Sequence, residues 1–285
     1  ASMICQISWT RLLILFIGSS TYAYSVILLV FITGLSLGSA AFSKFGKYFK
    51  TDFFTAGTFY AALSGFIALG MYYTGFLPYI FVRILPFAVI RVIPVELLYV
   101  LVCSAMIFMP TFFMGAAYPV FISAATRNNE IIGENVGIYT GINTLGSIAG
   151  ILASIFVIIP RFGIETGLIA AGMLYAIVSA ALMLNSKRGH RVYLSGGVIL
   201  LAISFNAFRK PWDPSILSSG VFVYAPEYRE AKSFRDFKFI AGRNDILYYK
   251  DGNSATVSVL HSPVNERFLR INGKTDASWE MDMNT

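Results

Sequence analysis

ISWTRLLILFIGSSTYAYSVILLVFITGLSLGS, residues 7–39, contains two apolar runs parted by Gly18-Ser19-Ser20, with Arg11 as its only charge. A bilayer core takes about 20 apolar residues per helix. Extended to 1–18 and 20–42, both runs approach that length. Moved along the chain, the same ruler predicts about seven spans, at 1–18, 20–42, 53–76, 96–125, 137–160, 164–185 and 192–208. Pro110 and Pro119 predict a kink in the fourth. Before it lies FLPYIFVRILPFAVIRVIP, 76–94, read as an interfacial or partly inserted connector.

Composition points the same way. Of the 285 residues, 56% are hydrophobic and 13% charged, too little polar surface to coat a soluble body of this size. Residues 1–208 hold 11 Lys/Arg and 5 Asp/Glu, whereas the remaining 77 hold 11 and 10. The border near Arg209 therefore divides the chain into a polytopic domain at 1–208, a linker at 209–244 and a β-region from 245. The net charge of +7 sits in short loops between apolar runs, which suits orientation against a bilayer and argues against nucleic acid. Lys44, Lys47, Lys50, Arg127, Lys187, Arg188 and Arg191 fall on one side of the predicted spans. Arg83, Arg91, Arg161, Arg209 and Lys210 fall on the other. That small excess would place the polar tail outside the cytoplasm.

From Pro211 the texture becomes strands and turns. WDPSILSSG has the punctuation of a linker. ILYYK, ATVSVL, RFLRI and KTDAS read as four short antiparallel strands, with DGNS, HSPVNE and Asn272-Gly273 between them. The Asn-Gly pair is a strong hairpin signal, because both central residues of a type I′ turn need positive φ. So small a sheet buries too little to stand alone and should lean on something further along the chain.

Few residues offer chemistry. Cys5 and Cys103 lie in apolar runs, His190 and His261 are isolated, and no spacing suggests a metal site. Trp9, Thr10 and Arg11 read as an interfacial Trp–Arg anchor, with a structural or substrate-facing charge as the other reading. Glu96 and Glu165 suit helix starts. Asn143 and Thr144 suggest hydrogen bonds between helices, and Gly34 with Gly38 and Gly146 with Gly150 suggest close helix contacts. No paired carboxylates form a proton relay. In the tail, Asp276 and Asp282 follow the Asn-Gly turn and are expected near the rim of the sheet, where carboxylates can orient a polycation; the other reading is ordinary solvated hairpin residues. Lys274, Asn272 and Trp279 divide between the same two readings.

Several stretches together resemble one family, the membrane-fused spermidine synthase-like proteins. They are 7–39, MPTFFMGAAYPVFIS at 109–123, GENVGIYTGINTLGSIAGI at 133–151 with IIPRFGIETG at 158–167, WDPSILSSGVFVY at 212–224, YYKDGNSATVSV at 248–259 and LRINGKTDASWEMDM at 269–283. The resemblance implies a bacterial inner-membrane, multi-pass helical domain likened to half of a major facilitator transporter. It also implies that residues 245–285 begin the N-terminal β-domain of an aminopropyltransferase. Decarboxylated S-adenosylmethionine would be co-substrate and a polyamine the acceptor, with catalytic residues beyond Thr285. Asp276 stands about where soluble relatives contact the nucleoside, usually through glutamine, and Asp282 near an acidic residue at the polyamine end. Gln6 departs from the family, which commonly has an acidic residue ahead of the Trp-x-Arg motif. Two other classes stay open: a transporter or exporter with a regulatory tail, and a non-catalytic membrane scaffold.

Overall fold

The computed structural model describes residues 1–48, 50–90, 94–126, 132–186, 189–263 and 266–279. The first helix, α1 (Ser2–Ile17), is the centre of the packing, since Leu12 to Phe16 are all 0% exposed. It ends at Gly18, whose φ of 88° lets the chain turn away. Ser20 caps α2 (Thr21–Phe45) by accepting the Ala23 amide, and Asp52 does the same for α3 (Phe53–Tyr73) through Thr55. The expected connector is helical, as α4 (Leu77–Ile90), despite Pro86 within it.

The fourth predicted span is α5 (Val95–Cys103) and α6 (Met109–Ala125), joined by a π-turn at Ser104–Phe108. A second π-turn, Ser154–Ile158, joins α7 (Ile132–Ala153) to α8 (Ile159–Leu184). Each π-turn ends two residues before a proline, Pro110 and Pro160. The proline ring cannot donate and crowds the carbonyl four residues back, so a widened turn relieves the clash. Last in the helical part is α9 (Arg191–Phe208).

Five helical stretches are long and apolar enough to cross a bilayer: Thr21–Tyr48, Phe53–Pro86, Val95–Ala125, Gly133–Leu184 and Arg191–Phe208, with the shorter apolar Ser2–Ile17 beside them. The difference from about seven spans lies in that short first helix and in the 52-residue stretch. Straight, the latter would run about 78 Å, against a hydrocarbon core of about 30 Å. It is not straight, because Gly163 within α8 has φ 87° and ψ 167° and breaks its direction. The break falls between the fifth and sixth predicted spans.

Close packing uses small residues where expected at Gly34 and Gly38, which face Thr111 and the Phe112 carbonyl of α6. Gly150 faces Met3 and Ile4 of α1, whereas Gly146 has no atom within 4 Å of where a Cβ would stand. Ser64 donates to the Gly172 carbonyl at 2.9 Å and Ser179 to that of Gly57 at 2.7 Å, fixing α3 antiparallel to α8. Thr144 behaves differently from expectation, returning its hydroxyl to the Thr140 carbonyl of its own helix, with Asn143 exposed beside it. A hydroxyl at i can reach the carbonyl at i−4, so a helix without a neighbour on that face satisfies itself.

Residues 209–244 carry short helices: α10 (Pro214–Leu217), α11 (Val221–Tyr224) and α12 (Phe234–Ala241). Ser233 and Asp236 form a capping box that starts α12. Its Phe234 ring lies 4.2 Å from that of Phe76, and Phe237 packs on Tyr79 and Tyr228. This segment is thus fastened to the start of α4 through Phe76 and Tyr79.

The four expected strands form one antiparallel sheet in the order β1 (Asp245–Asp251), β2 (Thr256–His261), β3 (Arg267–Ile271), β4 (Lys274–Ser278). Asn272 and Gly273 have φ of 50° and 84°, as the type I′ turn requires, and Ile271 pairs with Lys274 across them.

Candidate site at the junction of sheet and helices

Strand alternation gives the sheet two faces. Tyr249, Asp251, Thr256, Ser258, Leu260 and Arg270 point to the helix ends, and all but Tyr249 are buried outright. Tyr248, Val257, Val259, Leu269 and Ile271 share the other face; Tyr248 is exposed and the others are half-buried. Through its inner face the sheet leans on helices that precede it in the chain, and its outer face stays apolar and open.

Three contacts lock the inner face. Asp251, 9% exposed, accepts the Ile164 amide at 2.9 Å through one oxygen. Its other oxygen accepts the Thr256 hydroxyl at 2.7 Å and the Tyr249 hydroxyl at 3.3 Å. Ile164 opens the helical segment after the Gly163 break, so a carboxylate from the sheet caps that segment and meets the positive end of its dipole. Burial, and next the Asp251 charge, hold the Tyr249 hydroxyl well above its ordinary pKa, which keeps it a donor.

The second contact corrects the reading of Arg11 as an interfacial anchor. Its side chain is 7% exposed and reaches the Asn253 carbonyl in the β1–β2 turn at 2.7 Å. Trp9 is buried at 1%. An arginine inside an apolar helix is tolerated when it finds an acceptor and a counter-charge; the turn supplies the carbonyl and Asp251 acts on it by charge, while its Nε and Nη2 are buried with no partner among the described residues.

The third contact is backbone on backbone. A Cβ on Gly273 would stand 3.0 Å from the Gly220 Cα and 3.4 Å from the Leu15 carbonyl, and one on Gly220 would collide with the Gly273 carbonyl. Beside this contact, Arg270 donates to the Ser218 carbonyl at 2.6 Å with its guanidinium 4.6 Å from the centre of the Tyr224 ring. Tyr224 in turn accepts the Thr275 amide at 3.0 Å.

Between α1, the Gly163 break and β1 lies a cavity of about 340 Å³, lined in part by Arg161, Phe162, Glu165, Trp212, Lys250 and Asp251. Glu165 is ion-paired with Arg209 and accepts the Trp212 amide at 3.1 Å, while the Trp212 indole donates to the Met71 carbonyl at 3.0 Å. Both carboxylates of the cavity are therefore already engaged, and it does not suit a polycation.

Asp276 lies elsewhere, on the edge strand β4. Leu269 pairs with Ala277 and Arg270 with Thr275, so Asp276 is the extra residue of a bulge. It is exposed and bonded to no described side chain. A bulge re-aims its side chain out of the ladder, and such positions are over-represented beside active sites. Asp282 lies outside the described residues. Asn272, 7% exposed, is structural, its side-chain oxygen accepting the Thr256 amide at 2.9 Å. Lys274 and Trp279 are exposed, the latter beside an apolar cleft of about 360 Å³ with Leu269 and Ala277. Sequence reasoning missed Asp251; its signal was an acidic residue ahead of Gly252-Asn253, taken only as turn chemistry.

Compared with models of known protein families, with curated proteins and with solved structures, the chain matches none.

Proposed function

We propose that the chain is the membrane domain and opening β-region of a membrane-bound aminopropyltransferase. It would transfer an aminopropyl group from decarboxylated S-adenosylmethionine to a polyamine at a bacterial inner membrane. The observation that carries this reading is the four-stranded sheet, its inner face locked to the helix ends and its edge strand bulged at Asp276. The outer face, with Val257, Val259 and Leu269 half-buried, offers an apolar seat for a nucleoside-binding part. The long apolar helices support the membrane placement.

In the reaction a neutral primary amine attacks the methylene beside the sulfonium. A C–N bond forms, the C–S bond breaks with its electron pair going to sulfur, and methylthioadenosine leaves. The amine must first shed a proton, and its other ammonium groups need anchors. Asp276, exposed at the bulge, can orient one of them by charge. The groups that accept the proton and hold the nucleoside are not assigned among the described residues.

The test is release of methylthioadenosine by membranes carrying the complete reading frame, measured with and without polyamine. Amine-dependent release is expected. Uptake of labelled polyamine into proteoliposomes without such release would replace the transferase by the transporter.

A further inference from the structure

The end of the molecule away from the sheet carries a basic edge that aminopropyl transfer leaves unassigned. There α2 runs without a break into a single 3₁₀ turn, Gly46–Tyr48, making one helical stretch of 28 residues. At helical rise that is about 42 Å, against a hydrocarbon core of about 30 Å, so its ends stand in the head-group layers. Lys44 and Lys47 lie on its last two turns and Lys50 follows; all three are exposed. The Lys44 ammonium lies 5.6 Å from the centre of the Phe45 ring and that of Lys47 5.0 Å from the Tyr48 ring. Those rings are 47% and 72% exposed, so each cation stands beside an aromatic group on the outside of the helix, as suits a bilayer interface. None of the three lysines is ion-paired among the described residues. The acid nearest in sequence, Asp52, accepts the amide and hydroxyl of Thr55 at the start of α3. Helix directions bring a fourth cation to this end. Gly34 faces Thr111 and Gly38 faces Ala116, so α2 and α6 run parallel, while α8 returns antiparallel to α3 and α9 starts here with exposed Arg191. Against Lys44, Lys47, Lys50 and Arg191 stand only Asp52 and Glu134 among the described residues, and the edge is left positive.

We infer that this edge binds the head groups of anionic membrane lipids. The lysines hold lipid phosphates by charge, while the Phe45 and Tyr48 rings sit at the boundary between head groups and acyl chains. Lys44 and Lys47 are three residues apart on one helix, like charges on adjacent turns, and a phosphate between them relieves their repulsion. A zwitterionic head group brings its own ammonium and gains little there. The binding does not depend on which side of the membrane the edge faces. It rests on the membrane part of the proposed function and not on the transferase chemistry.

The experiment follows thermal unfolding of the full chain in detergent as dioleoylphosphatidylglycerol, dioleoylphosphatidylcholine or inorganic phosphate is added. Phosphatidylglycerol is expected to raise the unfolding temperature of the wild type. The effect should weaken between about 0.1 M and about 1 M salt, as the Debye length falls from about 10 Å to about 3 Å. In Lys44→Gln/Lys47→Gln/Lys50→Gln the apparent affinity should fall roughly a hundredfold, at about a factor of five for each basic residue near a lipid surface. Lys44→Arg/Lys47→Arg/Lys50→Arg, which keeps the charge, should respond like the wild type. Phosphatidylcholine should act equally on all three proteins, which also shows that the variants are folded. Equal response of the wild type and the glutamine variant to phosphatidylglycerol, or the same stabilisation by inorganic phosphate alone, would overturn the inference. A chain that leaves the membrane in alkaline carbonate would instead overturn the membrane reading, so the two failures are distinguishable.

Discussion

The carboxylate of Asp251 accepts the backbone amide of Ile164 at 2.9 Å across 87 residues of chain, so a strand supplies the cap of a helix that restarts after Gly163. Replacing it with alanine removes the cap, strands the Thr256 hydroxyl and leaves Arg11 without its counter-charge. Asp251→Ala should destabilise the full chain by about 2–4 kcal/mol, read from thermal unfolding in detergent. Asp276→Ala, at an exposed bulge, should change stability by no more than about 0.5 kcal/mol.

Arg11 and Asp251 should also be coupled. A double-mutant cycle with Arg11→Gln and Asp251→Asn is expected to give an interaction of about 1–3 kcal/mol. Additive effects would mean that the buried guanidinium is held by the Asn253 carbonyl alone.

Gly220 and Gly273 test the backbone contact. Gly220 has φ 58° and Gly273 φ 84°, and a Cβ at either meets the other's backbone. Gly220→Ala should cost about 2 kcal/mol or more, through strain and clash together. Gly65, helical and with open space around it, is the control, where alanine should stabilise by up to about 1 kcal/mol.

The segment around α12 should loosen in acid. Burial would raise the Asp213 pKa, yet its bonds to Lys238, at 3.0 Å, and to Ser215 outweigh that and hold it below 3.8. Hydrogen bonds from Ser233 lower Asp236 as well. A carboxylate depressed on folding gives stability that is complete above its unfolded pKa and is lost as pH falls through the folded one. Trp212 fluorescence should therefore be flat down to about pH 4 and change below it. Asp236→Asn should flatten part of that change.

Much of this was legible in the sequence, and what was not has a common cause. The Asn272–Gly273 turn declares itself because only such residues accept two positive φ angles in a row, and the strands follow from their alternation. The long helices follow from apolar length alone. Arg11 looked like an interfacial residue because its acceptor, the Asn253 carbonyl, lies 242 residues later. Residues 209–244 looked like a linker because α10 and α11 span only four residues each, too short for periodicity, and because the segment is held by distant partners, Phe76 against Phe234, Tyr79 on the Lys232 carbonyl and Arg270 on the Ser218 carbonyl. Asp276 was found as an acidic residue after a turn. Its bulge was hidden, because register depends on both strands at once.

Helix direction puts the sheet at the end of α1 and Lys47 beyond the far end of α2, which is about 37 Å long. Lys47→Cys and Ser254→Cys should label from opposite sides of sealed vesicles. The transferase reading requires Ser254 on the cytoplasmic side, where the nucleoside donor is made; the small excess of loop charge at Lys44, Lys47 and Lys50 favours the reverse, so the labelling decides between them.

The most direct measurement is methylthioadenosine release by membranes carrying the complete reading frame, with Asp276→Asn alongside the native protein. The account predicts release that depends on polyamine, with KM for the amine raised about threefold to tenfold in the variant and kcat little changed, as for loss of one solvated charge contact. No amine-dependent release from membranes that hold the folded protein would contradict it.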